Sequence, residues 1–450
     1  MKKDMTKGKE WRVILLFTLP ILAGFLLQQT YNIVDGILVG NLIGELALGA
    51  VGTTQSMVFL FLGVSSGLSV GVGVVISQYF GAGKESSLPS AIDTALILLG
   101  FFGLLTSMTA FVVTPFLLRE ILGVPEEKIS LSITYFRIYS IGLFFQFVYN
   151  AVAAILRSVG DSKATLYFLL ISTILSAILT PLFIVVIPWG VAGAAFSTLI
   201  AKAMCAVVSY IYMRKRFPFV KSGVHWDAKI ALTMTKLGLP VAIQISFVSI
   251  GYGAMQRLVN GFERTVPGVM AAYTAAARLD MILAVPLMAF QSGLASFVGQ
   301  NIGAEQLDRV KRGFRVTLAM ALGVVAVVSV LFYIFAGTLL SVFGLEVNSL
   351  PIGVSIVRFM SVWVWIFAVQ MTVSGVLQGA GDTVVQSAAT LIALAIRVST
   401  GYLAVYLGVL GYSAAWMTTP LGWGVVSLIL CARYFTGKWK TKAVAKKSEV

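Results

Sequence analysis

Long apolar runs, separated by short polar or glycine-rich breaks, fill nearly the whole chain. A helix needs about 20 apolar residues to cross a bilayer, and in lipid only helices or closed barrels satisfy every backbone polar group. The runs are too long for strands and do not alternate as strands do. They therefore predict an all-α polytopic membrane protein with twelve transmembrane helices. The runs lie roughly at 11–38, 46–79, 90–118, 129–156, 163–187, 190–213, 228–257, 267–301, 312–337, 350–377, 384–406 and 409–435.

Composition supports the same class and excludes several others. Of the 450 residues, 58% are hydrophobic and only 11% are charged, against about 25% charged residues in an ordinary soluble domain. A soluble globular fold and a disordered chain are therefore excluded. Both cysteines, Cys205 and Cys431, lie in apolar runs, which argues against a disulfide framework or a zinc site. No phosphate-binding Gly-Lys-Ser/Thr loop is present, which argues against direct drive by ATP. A membrane-embedded enzyme would need a cluster of His, Cys or acids at one depth, which the sequence does not offer, so we expect no enzyme activity, no cofactor and no metal.

The charge distribution predicts an orientation. The net charge is +15, which we interpret as membrane topology rather than nucleic-acid binding, because Lys and Arg accumulate in cytoplasmic loops. Most of them lie at the two termini and in the even-numbered connections between runs. The opposite set of loops holds only Arg119, Lys128, Arg257 and Arg264. We therefore expect a multi-pass protein of the cell (plasma) membrane with both termini in the cytoplasm.

The second half of the chain repeats motifs of the first. Leu19-Pro20 recurs as Leu239-Pro240, an offset of 220, and Gly160-Asp161 recurs as Gly381-Asp382, an offset of 221. Gln78, Arg137 and Gly190 recur as Gln300, Arg358 and Gly408. These matches indicate a duplicated six-helix unit. Because six is even, the halves are parallel repeats about a pseudo-two-fold along the membrane normal. We expect an N-terminal lobe over 1–213, a cytoplasmic linker over 214–229 and a C-terminal lobe with a basic tail over 230–450.

Several motifs, in this order and spacing, resemble the multidrug and toxic compound extrusion (MATE) family of secondary transporters. They are Leu19-Pro20, Gln28-Gln29-Thr30-Tyr31-Asn32-Ile33-Val34-Asp35-Gly36, Gln78-Tyr79-Phe80-Gly81-Ala82, Gln300-Asn301-Ile302-Gly303-Ala304, Leu156-Arg157-Ser158-Val159-Gly160-Asp161 and Leu377-Gln378-Gly379-Ala380-Gly381-Asp382. The resemblance implies export of small organic cations and drugs in exchange for H⁺ or Na⁺, by alternating access of a cleft between two lobes. We expect such a protein to act as a monomer in the lipid bilayer, without nucleic-acid partners.

One departure from the family concerns the fifth helix. Some members place an Asn and an Asp there, four residues apart and just before a proline, as part of a cation site. Here Ser176 and Thr180 stand at those positions before Pro181. The second carboxylate of that form of the site is therefore absent, which leaves Asp35 as the well-buried acid of the first lobe.

Few acids fall inside the predicted spans, and a carboxylate there costs about 2.5–3.5 kcal/mol on insertion scales. Asp35 follows Gln28 and Asn32 at i, i+4 and i+7 spacing, so the three share one face of the first helix. We take this stripe as the ion-coupling site. The alternative is that Asp35 is only a polar group at the helix end near the outer interface.

Further candidates for the substrate cleft lie on other spans. Asp280 and Arg278 are two residues apart and so do not face each other on a helix; Asp280 has a transport role or belongs to a structural charge pair. Lys202 and Arg397 lie deep in their spans and would pair with Asp35 or Asp280 or line an aqueous cavity. The remaining polar candidates are Gln146, Asn150, Gln256 and Gln370.

A second function stays open from the residues alone. Related two-lobed proteins flip or export lipid-linked precursors, and that task favours cations that converge on a phosphate. Lys202, Arg278 and Arg397 would have to lie together to serve it. The positions of these three side chains therefore distinguish the two functions.

Overall fold

The computed structural model describes residues 4–84, 86–217 and 225–445, with the side chains of 32, 33, 35–37 and 45 outside the description. Helices account for almost all of this length. They are α1 (Glu10–Ile43), α2 (Glu45–Gly81), α3 (Leu88–Phe116), α4 (Glu126–Ser158), α5 (Ser162–Pro181), α6 (Gly190–Arg216), α7 (Ala228–Asn260), α8 (Val269–Gly303), α9 (Leu307–Ser341), α10 (Ser349–Ala380), α11 (Thr383–Tyr406), α12 (Ala414–Met417) and α13 (Thr419–Phe435).

The predicted all-helical, twelve-span architecture is confirmed. Within the described ranges, twelve helical segments are long and apolar enough to cross a membrane, and each overlaps one of the twelve apolar runs. The last span, Gly411–Phe435, is not one continuous helix: the short α12 ends at Met417 and α13 begins at Thr419. Pro420, which lies in the first turn of α13, fits this restart because proline is tolerated where its missing N–H would be unpaired anyway.

Two spans end in a widened turn that follows a proline. Pro115 precedes a π-helical segment over Leu117–Ile121, and Pro181 precedes one over Leu182–Val186. In each the closing hydrogen bond reaches back five residues, from Leu122 N to Leu117 O at 2.9 Å and from Ile187 N to Leu182 O at 3.0 Å. In both spans the wider register begins one or two residues after a proline, which itself removes one helical donor and crowds the preceding turn.

The chain forms two compact units whose boundaries cut through α1 and α7. Unit 1 consists mainly of Leu19–Ser246, and unit 2 of Met5–Thr18 and Phe247–Val444. The boundary in α1 falls just before Pro20, and the one in α7 falls shortly after Pro240. The lobe limits 1–213 and 230–450 instead keep each of these helices whole, and they stay a prediction. Of the linker predicted over 214–229, residues 218–224 lie outside the described part of the chain.

Equivalent residues of the two repeats perform equivalent tasks. Asp161 and Asp382 both precede a helix, after glycines with φ of 87° and 88° at 160 and 381. The Tyr212 hydroxyl donates to Asp161 Oδ2 at 2.9 Å, and Arg433, 221 residues later, donates through Nε to Asp382 Oδ2 at 2.6 Å. The duplication therefore preserves the contact, while a neutral donor in one half is replaced by a charged one in the other.

The beginning of the chain is anchored inside unit 2. Met5 is fully buried, and its N–H donates to Gln300 Oε1 at 2.9 Å. Its carbonyl accepts from Asn301 Nδ2 at 3.3 Å and from Arg309 Nη2 at 3.2 Å. The repeat mate Gln78 accepts a backbone N–H in the same way, from Ala445 at 3.3 Å. Buried backbone groups need partners, and these two glutamines supply them to opposite ends of the chain.

Close helix packing in unit 1 depends on glycine. On α2, a β-carbon at Gly67 would overlap the backbone of Ala242 on α7, and one at Gly71 would overlap the Met234 carbonyl. Small residues let helix backbones approach closely where the bilayer provides no hydrophobic drive between helices. The first half of α7 is thereby seated against α2 within unit 1.

Candidate functional site

The stripe predicted on α1 is described only in part. The backbone of α1 is helical from Glu10 to Ile43, and the Gln28 side chain is exposed. The side chains of Asn32 and Asp35 lie outside the described residues. The helical backbone does place Gln28, Asn32 and Asp35 on one face, because i, i+4 and i+7 positions align along a helix. Their role in ion coupling stays a prediction.

A network of hydroxyl groups connects α1 with α5 and α6 one turn before Asp35. The Tyr31 hydroxyl lies 3.2 Å from Ser176 Oγ and 3.2 Å from Thr198 Oγ1. One turn further along α5, Thr180 Oγ1 lies 2.7 Å from Ser197 Oγ. Ser176 and Thr180 are the positions at which the resemblance to the MATE family implies an amide and an acid in some members. Neutral hydroxyls therefore fill this place, and Tyr31, which the sequence analysis did not single out, joins them.

A narrow cavity opens between α1 and α5 beside this network. Its volume is about 130 Å³, whereas sites for drug-sized ligands typically measure about 300–1,000 Å³. This cavity therefore fits water or one small group rather than a drug molecule. It is lined by Thr30, Tyr31, Val34, Leu38, Thr173, Ile174, Ala177 and Thr180.

Gln146 and Asn150, predicted as cleft residues, form one hydrogen-bonded chain in unit 1. Gln146 Nε2 donates to Asn150 Oδ1 at 3.2 Å, and Asn150 Nδ2 donates to Ser65 Oγ at 2.8 Å. Both side chains are half-buried. These hydrogen bonds link α4 to α2 and keep two amide groups together in a membrane-spanning region, where polar groups need internal partners.

Lys202 lies against an aromatic ring of the same unit. Its ammonium is 3.7 Å from the centroid of the Tyr139 ring, well inside the range of a cation–π interaction. Tyr139 in turn stacks on Phe136, with ring centroids 5.9 Å apart. The charge of this half-buried lysine is thus balanced in part by the face of a packed tyrosine.

In unit 2, four polar side chains from three helices meet, and we refer to Asp280, Arg397, Tyr252 and Tyr273 as the α8 cluster. The guanidinium carbon of Arg397 lies 5.7 Å from the centroid of the Tyr252 ring. Arg397 also lies within electrostatic range of the Asp280 carboxylate and of both tyrosine hydroxyls. Pairing with Asp280, one of the alternatives for Arg397, stays a prediction. The role of the pair in transport stays a prediction.

The other unit 2 candidates are Arg278, Gln256 and Gln370. Arg278 is exposed on α8. On α7, Gln256 Nε2 donates to Asn260 Oδ1 at 2.9 Å, an i, i+4 amide pair like that of Gln146 and Asn150. Gln370 is buried in α10, and its Oε1 has no hydrogen-bond partner among the described residues.

Tyr252 and Tyr273 were missed by sequence reasoning because tyrosines are common in spans and neither lies next to a charge in the sequence. The signal lies in helical spacing. Tyr273 and Asp280 are seven residues apart on α8, which brings them to the same face two turns apart. Tyr252 on α7 and Arg397 on α11 join them only through tertiary packing.

Comparison with known proteins decides the family. The family profile named MatE matches the chain twice, over residues 20–182 and 240–403. The chain belongs to the MatE family. These are multidrug and toxic compound extrusion transporters, so the resemblance carried by the sequence motifs is confirmed. The two matches begin 220 residues apart, which is the spacing of the Leu19-Pro20 and Leu239-Pro240 motifs.

Two curated relatives of this MATE transporter come from Bacillus subtilis (strain 168). The chain is 29% identical to the probable multidrug resistance protein YpnP over 381 residues, which cover 84% of each protein. It is 27% identical to the probable multidrug resistance protein YoeA over 455 residues, which cover 98% of this chain and 96% of that one. The chain is therefore a multi-pass membrane protein of a multidrug efflux family.

A solved structure supports the fold. An outward-facing multidrug resistance MATE transporter of the MOP superfamily superposes with a TM-score of 0.88 at 23% identity, over 97% of this chain and 98% of that one. The all-helical, two-lobed fold class predicted from the repeat is thereby confirmed.

Proposed function

We propose that this MATE transporter is a secondary active exporter that exchanges H⁺ or Na⁺ for small organic cations by alternating access. The α8 cluster carries the proposal, because it keeps a carboxylate inside a membrane-spanning helix beside aromatic rings. A carboxylate at this depth is expensive and is retained where an ion or substrate must bind. Asp35 on α1 supplies a second intramembrane acid in unit 1, and we assign ion coupling to it, with Asn32 and Gln28 as neighbours.

The charge pattern favours organic cations over the lipid-linked precursors of the alternative function. A phosphate site needs cations available to the ligand. Within unit 1, Lys202 already lies over Tyr139. Within unit 2, Arg397 already lies over the Tyr252 ring, and Arg278 is exposed on α8. Each unit thus balances its deep cation internally, so we do not propose a phosphate-binding function.

We further propose that the transporter acts as a monomer in the plasma membrane, with both termini in the cytoplasm and no cofactor beyond the coupling ion. The excess of Lys and Arg in one set of loops supports this orientation. Reporter fusions at the N-terminus and after residue 445 test it. A periplasmic-type reporter active at either end would contradict the orientation.

Efflux in everted vesicles tests the function. Ethidium or dye export is measured under an imposed pH gradient and, separately, under an imposed sodium gradient. We expect one gradient to drive export and Asp35→Asn to abolish it, because the amide cannot bind and release the coupling ion as a carboxylate does. Asp308→Asn is the matched control, since Asp308 is an exposed acid paired with Lys311 on α9.

The outcome separates the two parts of the proposal. If neither gradient drives export by the wild-type protein, ion-coupled efflux is wrong. If Asp35→Asn, with wild-type abundance in the membrane, exports at the wild-type rate, the assignment of Asp35 is wrong. Loss of export in Asp308→Asn to the same degree would show that the effect is not specific to the intramembrane acid.

A further inference from the structure

The chain continues after α13 in a short folded tail. The segment Lys438–Lys442 forms a 3₁₀-helix after a left-handed turn at Gly437, where φ is 69°. Trp439 is 1% exposed, and its Nε1 donates to the Tyr434 carbonyl at 3.0 Å. Residues near a chain end are usually poorly ordered unless specific contacts hold them. The tail is therefore part of the folded structure of unit 2.

Three aromatic rings attach the tail to α13 and α9. Trp439 stacks on Tyr434, with ring centroids 5.7 Å apart and an angle of 5° between the planes. Tyr434 in turn meets Phe314 of α9, with ring centroids 4.6 Å apart. Aromatic rings at these distances attract each other beyond the effect of area burial. The three rings therefore fix the tail beside the first turns of α9.

Four exposed cations flank these rings, and we refer to Arg315, Lys438, Lys440 and Lys442 as the tail surface. Arg315 follows Phe314 on α9, and Lys440 Nζ lies 5.9 Å from the centroid of the Trp439 ring. Within the described ranges of the chain, none of the four forms an ion pair with a carboxylate. The tail surface thus holds several positive charges on a segment whose backbone is fixed.

Acids at the start of α9 and of α1 have other partners. Asp308 pairs with Lys311 at 2.8 Å, and Glu10 pairs with Arg312 at 2.8 Å. The tail surface therefore keeps a local excess of positive charge. Like charges held near each other repel, so an anionic partner would stabilise this arrangement.

The tail surface lies next to the ends of two spans. The last span finishes at Phe435, and Lys438 follows three residues later. Arg315 lies about two turns into α9, whose span begins at Leu307. The ring of Phe435 is 79% exposed, so an apolar side chain points outward where the span ends. Exposed aromatic rings beside long cationic side chains are typical of the membrane interface, where lipid headgroups lie.

We propose that the tail surface binds the phosphate headgroups of anionic phospholipids in the adjacent leaflet and thereby fixes the end of α13 to the membrane surface. Anionic lipids attract basic segments next to a transmembrane helix, and Lys and Arg donate strong hydrogen bonds to phosphate oxygens. Because the rings already hold the tail, little of its conformational freedom is lost on binding. The proposal concerns the lipid and is independent of the exported solute.

Binding of phosphatidylglycerol tests the proposal. The full-length protein in neutral detergent micelles is titrated at low salt with phosphatidylglycerol that carries a fluorophore on one acyl chain, and binding is followed by anisotropy. Phosphatidylcholine with the same chains is the neutral comparison and should bind more weakly. The variant Lys438→Gln/Lys440→Gln/Lys442→Gln should weaken phosphatidylglycerol binding roughly tenfold or more, because each Lys near an anionic surface contributes about fivefold.

Two further variants separate the tail surface from charge in general. Lys9→Gln/Lys215→Gln/Lys229→Gln is the matched control, because it removes the same number of exposed lysines from other places. It should leave the affinity unchanged. Trp439→Leu keeps every charge and removes the ring that holds the tail, so it should also weaken binding.

The outcomes that overturn the proposal are distinct. It is wrong if both triple variants lose affinity equally, or if phosphatidylcholine binds as tightly as phosphatidylglycerol. It is also wrong if Trp439→Leu binds like the wild type, because a folded tail is then not needed. Displacement of the lipid by an equal concentration of inorganic phosphate would assign the tail surface to a free anion instead. Thermal midpoints equal to that of the wild type exclude unfolding as the cause of a lost affinity.

Discussion

Replacing Arg433 by Met should be one of the most damaging single changes in unit 2. Asp382 is only 3% exposed, and Arg433 donates to it through Nε at 2.6 Å and through Nη2 at 3.3 Å. Arg433→Met leaves that carboxylate buried without its charged partner. Breaking a buried ion pair from one side costs about 3–5 kcal/mol, which we expect as the loss in free energy of unfolding.

The duplicated half provides an internal comparison. Tyr212→Phe removes the equivalent hydrogen bond to Asp161, but Asp161 is only half-buried and also accepts from the Ala164 N–H at 3.2 Å. Its carboxylate can regain water, so we expect a loss of about 1 kcal/mol. The two substitutions thus probe the same place in the fold with a charged and a neutral donor.

Reversible unfolding in mixed micelles with increasing SDS, followed by tryptophan fluorescence, measures both losses. The double variant Asp382→Asn/Arg433→Met should recover most of the lost stability, because no unpaired charge then remains, and the double-mutant cycle gives the coupling. A loss below about 1 kcal/mol for Arg433→Met would refute the reasoning. So would a double variant as unstable as the single one.

Two further predictions concern the chain start and helix packing. Arg309→Met removes the Arg309 donors to the Met5 carbonyl and leaves the donor Asn301 Nδ2. It should speed amide hydrogen exchange at residues 5–9 by tenfold or more, for a loss of about 1.5–3 kcal/mol. Lys311→Met, at an exposed ion pair, should leave exchange unchanged. Gly67→Ala should lower the thermal midpoint in detergent, because overpacking costs about 1–3 kcal/mol. Gly100→Ala is the control, because no atom lies within 4 Å of its added carbon, and it should leave the thermal midpoint equal or higher. Equal midpoints for the two variants would contradict the close contact of Gly67 with α7.

The twelve helices, their duplication and the family could all be predicted from the order of the amino acids. The bilayer sets the number of apolar residues that each span needs, independently of the other spans. The length of each apolar run therefore predicts a transmembrane helix directly. The repeat is visible because the glycine and aspartate at 160–161 and 381–382 satisfy the same local backbone demand, a left-handed turn followed by a helix start. A turn of this kind forms without contact to another helix, so its residues can be recognised in the sequence alone.

Tertiary structure alone decided which charges meet and where the units divide. Arg397 was compatible with Asp35, Asp280 or a cavity, and only packing of α11 against α7 brings it over the Tyr252 ring. The division of α1 before Pro20 and of α7 after Pro240 likewise has no local signature beyond the prolines. Contacts between helices depend on which faces pack together, and sequence distance carries no information about that choice.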